Sequence, residues 1–178
     1  MKKTFLTRRS FLGLLVTLLL LVGCGYKPSS QYMRNVFDND VFVDVIVSHV
    51  EPENAVYIKD ALHSMVINRF GGRIVPRAQA KTIITASYDG TNFRPISYDS
   101  NGYITRYRAT VRMKFDIKSS KGKFHRNISS VVEENIGASS TLSSSLRIEA
   151  IRVGMARALD QFLAYAAAKG ALKEKGGK

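Results

Sequence analysis

The stretch YITRYRATVRMKFDIK, residues 103–118, decides the fold. Its odd positions are Tyr103, Thr105, Tyr107, Ala109, Val111, Met113, Phe115 and Ile117. Its even positions include Arg106, Arg108, Arg112, Lys114 and Lys118. Successive side chains of a strand point to opposite faces, so this alternation predicts one long strand with a core face and a basic ladder.

Working outward, Asp99-Ser100-Asn101-Gly102 precedes the strand. Asn-Gly supplies the positive φ values of a tight hairpin turn. After the strand, Ser120-Lys121-Gly122-Lys123 turns the chain again, and Phe124, Ile128, Val132 and Ile136 line one face of the next strand. Upstream, Lys81 begins a strand with Ile84, Ala86 and Tyr88 on one face. In Val41 to Ser48, β-branched valines alternate with Phe42, Asp44, Ile46 and Ser48. That second face is partly apolar, as in an interior strand. Between these two strands Pro52 opens a helix, with Glu51 and Glu53 near its positive end. Ala55, Ile58, Leu62, Met65 and Arg69 recur at helical spacing, with Val66 and Phe70 beside them. Gly71-Gly72 ends the run. Strand, helix, strand predicts a parallel pair.

A serine-rich link, Ser139 to Ser145, leads into a last helix with the stripe Ile148, Ile151, Met155, Leu159, Phe162 and Ala166. Gly170 and a lysine-rich tail over 171–178 then end the chain. The order is β-α-β-β-β-α. It predicts an α+β fold, a two-layer sandwich in which a four-stranded mixed sheet carries two helices packed on one face. One domain over residues 41–170 accommodates every amphipathic segment.

The first helix reaches ~27 Å and the long strand ~50 Å. The hairpin is therefore expected to overhang the helical layer, carrying Phe93, Ile96, Tyr98, Tyr103, Ile104 and Tyr107. Two readings stand. The overhang is an amphipathic finger that enters a partner, or twist and Pro95 break the strands and the aromatics belong to the core.

Residues 1–23 read as a lipoprotein signal peptide. Lys2, Lys3, Arg8 and Arg9 precede an uncharged apolar run from Phe11 to Val22. As a helix that run spans ~18 Å, well short of the ~30 Å hydrocarbon core. Leu21-Val22-Gly23-Cys24 is similar to a bacterial lipobox, and Cys24 is the one cysteine in the chain. Acylation there gives a stable anchor, because several chains together bury many methylenes at ~0.8 kcal/mol each. Gly25 follows Cys24 directly, with no acidic residue there, and by resemblance to known bacterial lipoproteins this favours the outer membrane. Residues 24–40 then read as acylated cysteine and tether. Thr7-Arg8-Arg9-Ser10-Phe11-Leu12 is similar to a twin-arginine export motif. The leucine-rich run fits the general secretory route, and both remain open.

The chain has 178 residues and a net charge of +13. The signal holds four of the 27 basic residues and none of the 14 acids, so the mature chain stays strongly basic. Export redirects that charge from nucleic acid to membrane surfaces, phosphorylated glycolipids and cell-wall polymers. With Cys24 acylated there is no disulfide, so stability rests on packing. His49, His63 and His125 have no metal-ligand spacing. There is no nucleophile elbow, zinc helix or glycine-rich phosphate loop. Glu133 and Glu134 are adjacent, so on a strand their carboxylates face opposite ways. No constellation for catalysis, no cofactor and no metal site is expected. The basic ladder has two readings. It is a solvated face, or its arginines, whose planar fork suits bidentate phosphate binding, meet a phosphorylated ligand.

Anchor and element order together resemble the LptE family, lipopolysaccharide-assembly lipoproteins of the outer membrane. The resemblance is carried by Cys24-Gly25-Tyr26, by Pro52-Glu53-Asn54 through Ile67-Asn68-Arg69-Phe70-Gly71, by Tyr98-Asp99-Ser100-Asn101-Gly102-Tyr103, and by Arg106-Tyr107-Arg108-Ala109. It implies a non-enzymatic plug seated in the β-barrel LptD, where it aids barrel assembly and receives lipopolysaccharide. It further implies that basic sheet residues touch the glycolipid. Alternation and charge assign that role to Arg106, Arg108, Arg112 and Lys114. Barrel contact is assigned to Phe93, Ile96, Tyr98, Tyr103 and Tyr107. The other function class is an auxiliary or tethering lipoprotein of a different envelope lipid-transport complex. Co-purification of a large integral barrel separates the two.

Overall fold

The computed structural model describes residues 29–47, 52–136 and 143–176. In chain order these form helix α1 (Ser29–Met33), β1 (Asp40–Ile46), α2 (Glu53–Met65), β2 (Arg73–Ile74), β3 (Thr82–Tyr98), β4 (Ile104–Ser119), β5 (Gly122–Asn135) and α3 (Ser144–Gly176). The sheet order is β2-β1-β3-β4-β5. β1 pairs parallel with β2 and β3, and β4 runs antiparallel to β3 and β5. The parallel β1–β3 pair and the long hairpin follow the sequence expectation. Among the described residues the sheet nevertheless has five strands rather than four, and there are three α-helices rather than two.

Each addition has a physical reason. β2 is two residues long, too short for any alternation. It continues from Gly71, whose φ of 66° turns the chain back beside β1. Its backbone is held by Arg73 N–H to the Asn39 carbonyl at 2.8 Å. Residues 29–39, assigned to the tether, contribute Met33, Val36 and Phe37 to the core. Phe37 stacks on Phe70 with ring centroids 4.7 Å apart, closing one end of the core. Two apolar turns of this length carry no helical period, so composition alone made them look like linker.

α2 passes into a π-turn over Val66–Phe70. A π-turn holds more residues than an α-turn, so the inward position slips by one. Val66 and Phe70 are buried while Arg69, placed on the stripe by α-helical spacing, is exposed.

α3 also departs from expectation, because it does not end at Gly170. It runs through Gly170 to Gly176, 33 residues or ~50 Å, as long as β4. Gly170 is buried because α1 crosses there. A Cβ at this position would lie 2.0 Å from the Tyr32 carbonyl oxygen. Gly154 is the matching contact on the sheet side, where a Cβ would meet Val111 Cγ2 at 2.3 Å.

The core lies between the helices and one face of the sheet. Val41 and Val43 of β1, Ile84 and Ala86 of β3, and Ala109, Val111, Met113, Phe115 and Ile117 of β4 are buried there. Ile151, Met155, Leu159, Phe162 and Ala166 of α3 meet them. Ile148, expected on the same stripe, is 55% exposed.

Candidate glycolipid face and hairpin

The opposite face of the sheet carries the even positions of β4. Arg106, Arg108 and Arg112 are exposed and Lys114 is half-buried. Their cross-strand partners reorganise the ladder. Glu133 of β5 accepts from Arg108 at 2.8 Å and lies 3.5 Å from Arg106. Asp89 of β3 accepts from Lys114 at 2.9 Å and lies 4.0 Å from Arg112. Hydrogen bonding from Arg108 holds the Glu133 carboxyl below its ordinary range. Asp89 reaches its place through a β-bulge. Between the Tyr88–Met113 and Thr91–Val111 pairs, Asp89 and Gly90 both oppose Arg112. The φ of 98° at Gly90 accommodates the extra residue.

Arg94 completes the site, and the alternation of β4 cannot reveal it. It sits directly opposite Arg108 in the β3–β4 register. Like charges directly opposite are destabilising. Arg94 has no carboxylate partner among the described residues, whereas the four ladder cations share two. Arg94, Arg108 and Arg112 line a shallow groove of about 340 Å³ with Asn92 and Thr110 between them. Guanidinium, amide and hydroxyl groups are the donors that a ligand oxyanion such as phosphate would accept from, although Arg108 and Arg112 also face Glu133 and Asp89. The alternating run Asn92-Phe93-Arg94 could have shown Arg94, had the register with β4 been known.

Further along the same face, His125 Nδ1 lies 2.8 Å from Asp116 and its Nε2 lies 2.7 Å from Asn127 Oδ1. The hydrogen bond to Asp116, then that to Asn127, raise the imidazole pKa above 6.5. A raised folded-state value means that this contact contributes fully below pH 6.5 and is lost as pH climbs through the raised pKa. NMR titration of the imidazole is expected to give a midpoint above the ordinary histidine value. In Asp116→Asn the midpoint should move back down. A wild-type midpoint at or below the ordinary value would refute the pairing.

The hairpin divides the aromatic set. Phe93, expected at a partner surface, is half-buried against the core, and Arg147 of α3 covers its ring at 4.6 Å. Ile96, Ile104 and Tyr107 are half-buried. Tyr98 and Tyr103 are 59% and 57% exposed. α3 begins at Ser144, and its buried residue nearest the hairpin is Ala150, which packs with Ala109 and Val132. Phe93 thus belongs to the core, while Tyr98 and Tyr103 form an exposed tip. Asp99 fixes the turn, accepting from the backbone N–H of Asn101 at 2.9 Å and of Tyr103 at 2.8 Å. Pro95 remains in register with Tyr107, while irregularities at Ile96 and Thr105 bend the tip.

Cys24, the signal segment, His49 and most of the serine-rich link lie outside the described residues. Among the described residues no group of three or more His, Cys, Asp or Glu is placed to hold a metal ion. No described helix is long and apolar enough to cross a membrane.

Solved structures share this arrangement of one mixed sheet and helices. The crystal structure of rare lipoprotein B from Shewanella oneidensis superposes with a TM-score of 0.57 at 16% identity, covering 76% of this chain and 99% of that one. The solution structure of an uncharacterized lipoprotein B from Nitrosomonas europaea gives 0.53 at 11% identity, covering 78% and 88%. At these identities the likeness defines the fold class. No curated protein matches the chain by sequence. The family is defined by a sequence model described as LptE, lipopolysaccharide-assembly, which matches residues 42–165. That is more than half of the chain, and the protein belongs to the LptE family of lipopolysaccharide-assembly lipoproteins.

Proposed function

We propose that this chain is an outer-membrane lipoprotein held by acylated Cys24 after removal of residues 1–23. It seats the β3–β4 hairpin inside a β-barrel partner of the LptD kind, supports that translocon, and offers the outer sheet face to lipopolysaccharide. The role is one of binding and positioning, with no reaction step, cofactor or nucleic acid.

The observation that carries this reading is the Arg94–Arg108 opposition at the base of an exposed aromatic hairpin. Two like charges held face to face are unfavourable alone and favourable around a phosphate. The exposed Tyr98 and Tyr103 are amphipathic, with a ring for an apolar wall and a hydroxyl for a wet lumen. Family membership supports the same reading. Of the residues assigned to barrel contact, Tyr98 and Tyr103 are accessible for it, Ile96 and Tyr107 less so, and Phe93 serves the core instead.

Photocrosslinkers at Tyr98 and Tyr103 in intact cells are expected to trap one large outer-membrane protein. Trapping of lipid alone, with crosslinkers on the exposed faces of α2 and α3 trapping the barrel, would reverse the orientation proposed.

A further inference from the structure

The end of the sheet opposite the hairpin is a basic pole centred on the β4–β5 turn. Lys118 and Lys123 face each other across the ladder there. Lys121 Nζ donates to the carbonyls of Arg34 and of Phe37, the latter at 3.0 Å. Lys173 Nζ donates to the Lys121 carbonyl at 2.5 Å. These bonds draw Arg34, the turn and the end of α3 with Lys175 onto one surface, where all six cations are exposed. The acids nearby are Asp38, Asp40, Asp116 and Glu174, of which Asp40 is paired with Arg73 and Asp116 with His125. Asp38 already accepts from Ser120 Oγ at 2.7 Å and from Thr82 Oγ1 at 3.3 Å. Among these charges Leu172 is 70% exposed.

Three features point to one kind of partner. Lysine presents a flexible point charge, suited to scattered headgroups rather than to one bidentate ligand. An exposed leucine among lysines is the pattern of a surface lying at a membrane interface. The chain also enters the fold here. α1 begins at Ser29 and crosses Gly170, and only four residues of sequence, 25–28, separate Ser29 from Cys24. A chain that short reaches at most ~18 Å.

We propose that this pole docks on the anionic phospholipid headgroups of the leaflet that holds the acyl anchor. The inference rests on the acylation of Cys24 proposed above. Docking offsets the Lys118–Lys123 repulsion and applies to the anchored lipoprotein before the hairpin, ~50 Å away along β4, is seated in its barrel partner. Its strength falls with salt, because headgroup attraction decays within a Debye length.

The test uses the acylated chain reconstituted into vesicles of phosphatidylcholine, with and without phosphatidylglycerol. A fluorophore is placed at Gly176→Cys or, separately, at Ser100→Cys, with an energy acceptor on the lipid. Transfer from the pole is expected to rise when phosphatidylglycerol is present and to fall again at high salt. Transfer from the hairpin tip should stay low throughout. The variant Lys118→Glu/Lys123→Glu/Lys175→Glu changes lysines outside the bonds named above. It should keep its thermal midpoint and its anchoring, yet shift the docking equilibrium by a hundredfold or more, on the order expected for three basic residues near the surface. Equal transfer in both vesicles, or a triple variant that docks like the wild type, overturns the docking. A chain that enters neither vesicle contradicts the acylation instead, and the docking falls with it.

Discussion

Phe115→Ala is expected to lower the stability of the folded chain by about 4 kcal/mol. Phe115 is fully buried in the second half of β4, and its ring stacks on Phe162 of α3 with centroids 4.3 Å apart and planes 8° from parallel. Removing the ring loses its burial and leaves a cavity whose walls are fixed. The β4 backbone is paired on both edges, with Ala86 of β3 and Arg126 of β5. α3 cannot move inward to fill the space, because Gly154 already brings it against Val111. A loss of this size is a large fraction of the stability of a small domain. Urea unfolding of wild type and variant measures it. A loss below ~1 kcal/mol would mean that α3 and β4 are not packed as described.

The central strand was legible because its alternation is long and uninterrupted. The same holds for β1 and β3, whose parallel pairing followed from the helix between them. β2 was not legible, since two residues have no period and its pairing is fixed by the glycine turn before it. α1 was not legible either, because Met33, Val36 and Phe37 are too few to define a helical face. Gly170 misled for a different reason. Glycine past an apolar run commonly ends a helix, but here it removes a side chain where Tyr32 crosses. The proposed anchor at Cys24 rests on the lipobox alone and lies outside the described residues.

The face proposed for the glycolipid was half legible. Sequence alternation located Arg106, Arg108, Arg112 and Lys114 on one side of β4. It could not show that Glu133 and Asp89 share them in pairs, because those acids come from neighbouring strands and one sits in a bulge. For the same reason it missed Arg94. Once the register is known, the concentrated positive charge lies across β3 and β4, rather than along β4 alone.

That shift defines the second large effect. Arg94→Gln/Arg108→Gln is expected to weaken lipopolysaccharide binding about a hundredfold, or ~3 kcal/mol, through loss of two charge-assisted hydrogen bonds. Folding stability should change by less than ~1 kcal/mol. The exposed Arg108–Glu133 pair that is lost contributes little, and the repulsion between Arg94 and Arg108 is lost with it. Binding and stability are thus expected to separate, which a merely structural role for these residues would not produce.

The measurement that bears most directly on the glycolipid-binding face is the affinity of the purified protein for lipopolysaccharide with its phosphates intact and after their removal, at low and moderate salt. Binding of the phosphorylated form should be tight and weakened by salt, and Arg94→Gln/Arg108→Gln should lose about as much affinity as dephosphorylation does. The two changes combined should cost little more than either alone, because they remove the same contact. Wild-type affinity in a correctly folded double variant, or equal affinity for both forms of the glycolipid, would contradict glycolipid binding on this face.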